Sequence, residues 1–498
     1  MNANQRDILE RIEDLLKDVG QSHVSSSAYD TARLAALRQP GSTVPAFPES
    51  ARWLLGHQRP DGSWGGTVEM APDRCLCTLT AVVTLGELVQ DGFLPEADTE
   101  QVIIRGEEYL RTALGTLHDD ARDTAGFELV FPPLLDRARK LRIDLPYDRF
   151  PWLHQRREHK LGLLARLGDD LGHSVYNLES FDRLPAAAAD GRAQSQDGSF
   201  GCSPASTAGV LASVDNPAAW DYLRRMAAFS ADGAVGTVRP FQVFERSWIV
   251  ADLQRAGVMM PQMQVHLDQL SSEWSAAGIG MASHGIPADG DCTALTFIVL
   301  SQAGYPVTAE PLQNFRRDSG YVTYPFELDP STSCNVHALT ALRLAGTDHS
   351  AIDCALGALR RSRRPDGSWR DKWHISPYYS TGHAVEALHG LDDPMCGDAV
   401  DWLLRTQLPH GGWGIGGGSG EETAYALTGL LAAGRHLDET GRAAVDAGAA
   451  YLNTWIDATE HPELWVGKSL YAPLLVIRGL ILSTLLRYAT VTEPQETH

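Results

Sequence analysis

The chain has 498 residues, 43% of them hydrophobic, and a formal net charge of −21. That length allows two or three domains with large apolar cores, and the acidic balance excludes a nucleic-acid binder, which needs a basic face toward phosphate. The seven cysteines are scattered, and Cys75-Leu76-Cys77 has no matching second pair, so neither a disulfide framework nor a zinc site is expected and the setting is a reducing, cytoplasmic one.

Met1 to Arg6 is too polar for a signal peptide. Ala51 to Leu55 reads as a helix end, followed by Gln58-Arg59-Pro60-Asp61-Gly62-Ser63-Trp64-Gly65. The same pattern returns as Gln196-Asp197-Gly198-Ser199-Phe200-Gly201, as Arg364-Pro365-Asp366-Gly367-Ser368-Trp369, and as Gln407-Leu408-Pro409-His410-Gly411-Gly412-Trp413-Gly414. Each copy ends a helix with a Pro/Gly turn and folds an aromatic ring back over the helix end, where a Gln amide can satisfy orphan carbonyls. Between them lie helical windows such as Thr78 to Val89, Ala338 to Ala345 and Thr423 to Ala433, while strand patterns are rare. Repeated helix–turn units of this kind predict helices stacked around closed rings. Two copies in each half predict two all-α (α/α) barrels, one comprising residues 21–234 and the other residues 1–20 with 235–498. The apolar stretch Leu470 to Leu486, interrupted by Pro473 and Arg478, is a core helix, so the protein is soluble with no stable membrane insertion.

Asp289-Gly290-Asp291-Cys292-Thr293-Ala294 opens the apolar run Leu295 to Leu300. Two carboxylates two positions apart, at the mouth of an apolar helix, suit an acid that must stay protonated, because each raises the cost of ionising the other and apolar surroundings add to it. A carboxylic acid held neutral can protonate a carbon–carbon double bond. The competing reading is a plain N-cap, with Asp291 or Thr293 bonding free backbone N–H groups.

The repeats resemble the QW motifs of triterpene and class II diterpene cyclases, and Asp289 to Ala294 resembles their DxDDTA acid motif. Ser27-Ala28-Tyr29-Asp30-Thr31-Ala32 is similar to the family's SAYDTA, Gly126 to Pro132 to its GFEVVFP, Ser203 to Ala208 to its SPSSTA, and Trp465 to Tyr471 to its WIGKTLY. With Arg370-Asp371-Lys372-Trp373-His374, the likeness is greatest to bacterial class II diterpene cyclases of the copalyl and halimadienyl diphosphate synthase type.

That resemblance implies paired helical barrels, termed β and γ, with the active site between them. It also implies protonation-initiated cyclisation of geranylgeranyl diphosphate to a bicyclic labdane, halimane or clerodane diphosphate. Asp291 is then the general acid, Asp289 its modulating partner, and Asn335 the side chain that orients the acid. Cys292 departs from the family's third aspartate, and Tyr176 stands where plant copalyl diphosphate synthases carry a histidine of the terminating base. A carbocation needs a dry pocket lined by aromatic faces; Trp248, Tyr321, Tyr324, Trp373, Tyr378 and Tyr379 are the candidates. Arg370, Lys372, Lys468 and Lys160 are the candidate diphosphate contacts, and Asp119, Asp120 and Asp123 match the family's EDxxD-like motif linked to Mg2+.

The same Asp119-Asp120-Ala121-Arg122-Asp123 satisfies the DDxxD pattern of class I synthases, which ionise the diphosphate, but no companion metal-binding segment follows. Farnesyl diphosphate giving a drimane-type product is the alternative within the class. A prenyltransferase subunit or scaffold is the alternative outside it, and a triterpene cyclase would be longer with more repeats. A retained diphosphate implies a downstream class I synthase or phosphatase as metabolic partner.

Overall fold

The computed structural model describes residues 3–118, 123–166, 172–346, 349–391, 393–434 and 437–492. The helices in chain order are α1 Ala3–Asp18, α2 Ala28–Ala35, α3 Pro48–Gly56, α4 Ala71–Gln90, α5 Glu96–Ala113, α6 Phe127–Lys140, α7 Pro151–Arg166, α8 Ala186–Ala189, α9 Pro204–Leu211 and α10 Pro217–Phe229. They continue with α11 Gln242–Arg255, α12 Gln264–Glu273, α13 Gly290–Gln302, α14 Thr332–Ala345, α15 His349–Ser362, α16 Pro377–Leu388, α17 Pro394–Arg405, α18 Gly420–Ala433, α19 Glu439–Asn453 and α20 Leu474–Thr492. Among the described residues, strands form only two hairpins, β1 Arg316–Arg317 with β2 Gly320–Tyr321 and β3 Trp465–Val466 with β4 Leu470–Tyr471.

Two rings close. In the first, α2 packs on α4, α4 on α6, α6 on the 3-10 segment Gly172–Ser180, that segment on α9, and α9 back on α2. In the second, α11, α13, α14, α16, α18 and α20 each contact the next, and α20 returns to α11. The outer helices α3, α5, α7 and α10 back the first ring, while α12, α15, α17 and α19 back the second. Sequence sets the layer: α13 and α18 are apolar or small almost all round and buried along nearly their whole length, whereas α15 and α17 bury only one stripe. The long apolar α20 is a wall of the second ring, with eleven buried residues from Leu475 to Leu486. Helix α1 packs on α20, and its Ile8, Ile12, Leu15 and Leu16 join the second barrel's core.

The repeated turns join an outer helix to an inner one. The indole Nε1 groups of Trp64, Trp369 and Trp413 donate to the carbonyls of Leu54, Leu359 and Leu403 at 2.9, 2.8 and 2.7 Å, which caps the preceding helix end. In two of the turns a Gln amide ties the turn to the next outer helix: Gln58 donates to the Gly62 and Val102 carbonyls, and Gln407 to those of Gly411 and Ala444. The turn glycines are required at Gly62 and Gly411, where φ is +88° and +92° and a Cβ would stand 2.5 and 2.6 Å from the carbonyl oxygens of Arg105 and Ala447.

The segment from Trp465 to Tyr471 threads between the barrels and is stitched to both. Asp73 in α4 accepts from the Leu470 N–H (2.8 Å), and Ser469 Oγ lies 2.7 Å from Ser27 Oγ. At its centre Lys468 is wholly buried, with Nζ 2.6 Å from Glu179 Oε1 and 2.7 Å from Ser203 Oγ.

Candidate active site

The acid pair sits at the N-terminus of α13. Asp289 is the N-cap, its Oδ1 accepting from the Cys292 N–H at 2.7 Å, so the cap falls on neither Asp291 nor Thr293, and Asp291 is left for another role. Gly290 separates them because nothing larger fits: a Cβ there would lie 2.6 Å from the Val322 carbonyl and 2.7 Å from Cys334 Sγ. The close approach presses the start of α13 against α14. Ser333 and His337, four residues apart on one face of α14, then grip the Asp291 carboxyl. Ser333 Oγ lies 2.6 Å from Oδ2 and His337 Nδ1 2.5 Å from Oδ1.

Asn335 does not reach the acid. Its amide accepts from the Tyr321 N–H and donates to the Tyr321 and Ser331 carbonyls, which ties β2 to the start of α14. The sequence assignment picked the middle residue of Ser333-Cys334-Asn335-Val336-His337, although helical spacing puts Ser333 and His337 together and Asn335 on another face.

Burial pushes Asp289 up to about 7, reinforced by the neighbouring Asp291 carboxyl and opposed by the Cys292 N–H. Burial also keeps the Cys292 thiol protonated, so the position of the family's third aspartate is neutral here. Because the folded-state value of Asp289 lies above its unfolded value of 3.8, the stability it contributes is complete at low pH and is lost as pH rises through about 7. Between those values, wild type is expected to lose stability relative to Asp289→Asn by up to about 1.4 kcal/mol per pH unit. Urea titrations of both proteins from pH 5 to 8 check this.

Asp289, Asp291 and Cys292 form one wall of a cavity. The cavity lies between the barrels: Ala125 and Tyr176 come from the first, and Val238, Phe244, Trp248, Thr323, Tyr324 and Trp373 from the second, with the Trp465–Tyr471 segment between. Phe244 and Trp248, one turn apart on α11, meet at a tilt of 33° with centroids 4.1 Å apart, and Trp465 stands edge-on to Phe244 at 5.1 Å. Trp465 is fixed from behind by Glu421, which accepts its Nε1–H at 2.7 Å, and Trp373 by Thr323 at the same distance.

Of the six aromatic candidates, Trp248, Tyr324 and Trp373 line the cavity. Tyr321, Tyr378 and Tyr379 do not: Tyr378 packs on Trp402, Tyr379 lies behind Trp465 against His374, and Tyr321 is a buried residue of β2. Phe244, Trp465, Tyr471 and Tyr176 line it without having been chosen. Phe244 was readable as the residue one turn before Trp248, and Trp465 and Tyr471 as ends of a recognised motif.

The family model of the squalene-hopene cyclase C-terminal domain matches residues 326–458. A type B diterpene cyclase of Mycobacterium tuberculosis is 30% identical over 93% of this chain and 95% of its own. An ent-copalyl diphosphate synthase of Streptomyces sp. is 31% identical over 95% and 94%. The solved ent-copalyl diphosphate synthase from Streptomyces platensis superposes with a TM-score of 0.82 at 29% identity, covering 98% of this chain and 100% of that one. The chain belongs to the class II diterpene cyclases.

In this cyclase the proposed diphosphate contacts fall in different places. Arg370 is exposed, and Lys372 pairs with Glu327 at 2.8 Å. Lys468 is wholly buried and paired with Glu179 at 2.6 Å. The Arg370–His374 segment instead sends Asp371, Trp373 and His374 inward: Asp371 bonds the start of α14, Trp373 lines the cavity, and His374 meets Glu421. Lys160 pairs with Glu128 at 3.3 Å and Arg156 with Asp123 at 3.0 Å, both on α7 beside the strand of chain that carries the cavity residue Ala125. Asp119 and Asp120 lie outside the described residues.

Proposed function

We propose that this cyclase converts geranylgeranyl diphosphate to a bicyclic diterpenyl diphosphate by protonation, leaving the diphosphate intact. The observation that carries the reading is a buried Asp291 carboxyl, held by Ser333 and His337, opening on an aromatic-walled cavity. Asp291 gives its proton to the terminal alkene, and the pair of electrons of that double bond forms the new C–H bond and leaves a tertiary cation. Each ring closure uses the next alkene in the same way. The faces of Phe244, Trp248 and Trp465 favour the moving positive charge by on the order of 0.5–2 kcal/mol each, and their apolar surface excludes the water that would trap it. Loss of a proton to a base restores an alkene.

The diphosphate is assigned to the rim formed by residues 123–128 and α7, where Arg156 and Lys160 offer positive charge. Asp123 and Glu128 are hard oxygen donors of the kind Mg2+ accepts. Each is already paired with a cation, however, and among the described residues no three carboxylate, His or Cys groups converge. Mg2+ would therefore arrive with the diphosphate, neutralising its charge, and would be held there with the Asp119–Asp123 carboxylates. The division into β and γ barrels at residues 20/21 and 234/235 belongs to this proposal, supported by the two closed rings and by α1 packing on the second. A cytoplasmic setting is supported by the seven free cysteines. The product still carries its diphosphate, so a class I synthase or a phosphatase consumes it.

The test is incubation of the purified enzyme with geranylgeranyl diphosphate and Mg2+, with farnesyl diphosphate in parallel, followed by phosphatase and mass spectrometry. A cyclic C20 alcohol seen only after phosphatase is expected. A cyclic C15 alcohol alone would move the enzyme to the drimane branch, and hydrocarbon without phosphatase would mean ionisation.

A further inference from the structure

The cavity wall bonded to the acid motif is a loop, residues 322–331 between β2 and α14, and burial does not anchor its outer half. Phe326 and Leu328 are 54% and 84% exposed, and Pro325 and Asp329 are exposed as well. Its inner residues Thr323 and Tyr324 nevertheless line the cavity. Hydrogen bonds must therefore hold the loop in place, and they converge on one side chain. Glu327 Oε2 accepts the backbone N–H groups of Thr323 at 3.0 Å and Tyr324 at 3.1 Å, and meets Lys372 Nζ at 2.8 Å. The Glu327 N–H donates to the Tyr324 carbonyl at 2.9 Å, closing a turn that brings the carboxylate back to its own loop.

Thr323 passes that hold on to the rest of the wall. Its carbonyl accepts from the Gly290 N–H at 2.8 Å, and its hydroxyl accepts the Trp373 Nε1–H at 2.7 Å. Trp373 in turn accepts the Val466 N–H at its own carbonyl (2.9 Å), and Tyr324 stands edge-on to its ring at 6.1 Å. Thr323, Tyr324 and Trp373 thus form one unit, tied to the acid motif on one side and to the Trp465–Tyr471 segment on the other. Lys372 fastens the outer edge, donating to the Asp329 carbonyl at 3.3 Å besides meeting Glu327. The side chains of Lys372 and Glu327 are 33% and 19% exposed, so solvent screens their attraction and the two backbone bonds carry most of the effect.

We propose that Glu327 is a positioning residue that fixes this wall and, through it, the cyclic product. The wall begins one hydrogen bond from Gly290, beside the acid, so it bounds the first ring to close. A chain folded against a fixed wall reaches the second closure from one conformer. With the wall loose, the first ring's tertiary cation is left beside misplaced faces before the next alkene arrives. It then loses a proton to water, which restores an alkene and leaves a monocyclic diphosphate. Alternatively it bonds the oxygen of water, which gives up one proton to solvent and leaves a hydroxylated diphosphate. Glu327 does not line the cavity and acts only through Thr323, Tyr324 and Trp373. This role rests on the reading that cyclisation takes place in this cavity.

The experiment compares full-length wild type, Glu327→Ala, Glu327→Gln and Thr323→Val with geranylgeranyl diphosphate. Steady-state kinetics are measured, and the alcohols released by phosphatase are separated and identified by mass spectrometry, at a temperature where circular dichroism shows each protein folded. Glu327→Ala is expected to lower kcat about tenfold with KM changed less than about threefold, and to give about half or more of its product as monocyclic or hydroxylated alcohols. Glu327→Gln keeps an acceptor oxygen for the two N–H groups and is expected to restore the single bicyclic product. Thr323→Val keeps the shape but leaves the Trp373 indole without its acceptor, so it should leak in the same way and decides the question if Glu327→Ala does not fold. Lost stability alone would lower the amount of product without changing its composition. Wild-type product composition in folded Glu327→Ala, or in Thr323→Val if only that variant folds, would overturn the proposal, as would equal leakage from Glu327→Gln and Glu327→Ala. If wild type itself makes no cyclic product, the cyclisation reading fails and this role with it.

Discussion

Asp291→Asn is expected to lower cyclisation by about a thousandfold or more, because the replacement keeps the shape and the neighbours of the carboxyl but has no proton acidic enough to reach an alkene. The amide can still meet Ser333 and His337, which hold Asp291 at 2.6 and 2.5 Å, so the fold and substrate affinity should survive. Product formation, circular dichroism and a substrate-binding titration on the same preparation check the three parts. A variant that folds, binds and still cyclises within tenfold of wild type would remove Asp291 from the chemistry.

The second large effect is expected at a distance from the acid. Lys468 and Glu179 are 0% and 1% exposed at their side chains and 2.6 Å apart, and Tyr29 donates to the same carboxylate at 2.8 Å. Removing one charge leaves the other buried without a countercharge, which costs roughly 3–5 kcal/mol, a large part of the 5–15 kcal/mol by which domains are stable. Lys468→Met is therefore expected to lower the midpoint of urea unfolding strongly, and Lys468→Met with Glu179→Leu to recover much of the loss. If Lys468→Met were as stable as wild type and raised KM for the diphosphate substrate tenfold, Lys468 would be a substrate ligand after all. The outcome also bears on the cavity, since the ammonium lies 4.5 Å from the ring of Tyr176, which faces it.

The two predictions mark where sequence was and was not informative. Asp289 and Asp291 were legible because a local motif carried them, and local geometry, an N-cap followed by the first turn of α13, is what the structure uses. The ring architecture was legible for a similar reason: the repeats place a turn, a glycine and an indole at fixed offsets, and capping of the preceding helix follows from those offsets alone. Lys468 was chosen as a diphosphate contact from its motif, and its pairing with a carboxylate 289 positions away in the chain is something no local pattern reveals. Lys372 and Arg370 were chosen as the cations of a family-like motif, whereas the same segment turns its Asp371, Trp373 and His374 inward. Ser333 and His337 were within reach of helical spacing and were passed over for the residue between them. Phe244 was likewise readable from its offset to Trp248, while Tyr379 illustrates the reverse: close to the acid in motif order, yet behind Trp465 and shut out of the cavity.

The central claim is that the reaction begins with transfer of an exchangeable proton from Asp291 to the substrate's terminal alkene while the diphosphate stays attached. Running the enzyme with geranylgeranyl diphosphate in deuterium oxide, then treating with phosphatase, tests it directly. The account predicts a cyclic alcohol with one deuterium on the ring methylene carbon next to the gem-dimethyl carbon, released only by phosphatase and absent with Asp291→Asn. A cyclic product without deuterium there, or one accompanied by free inorganic diphosphate, would contradict it.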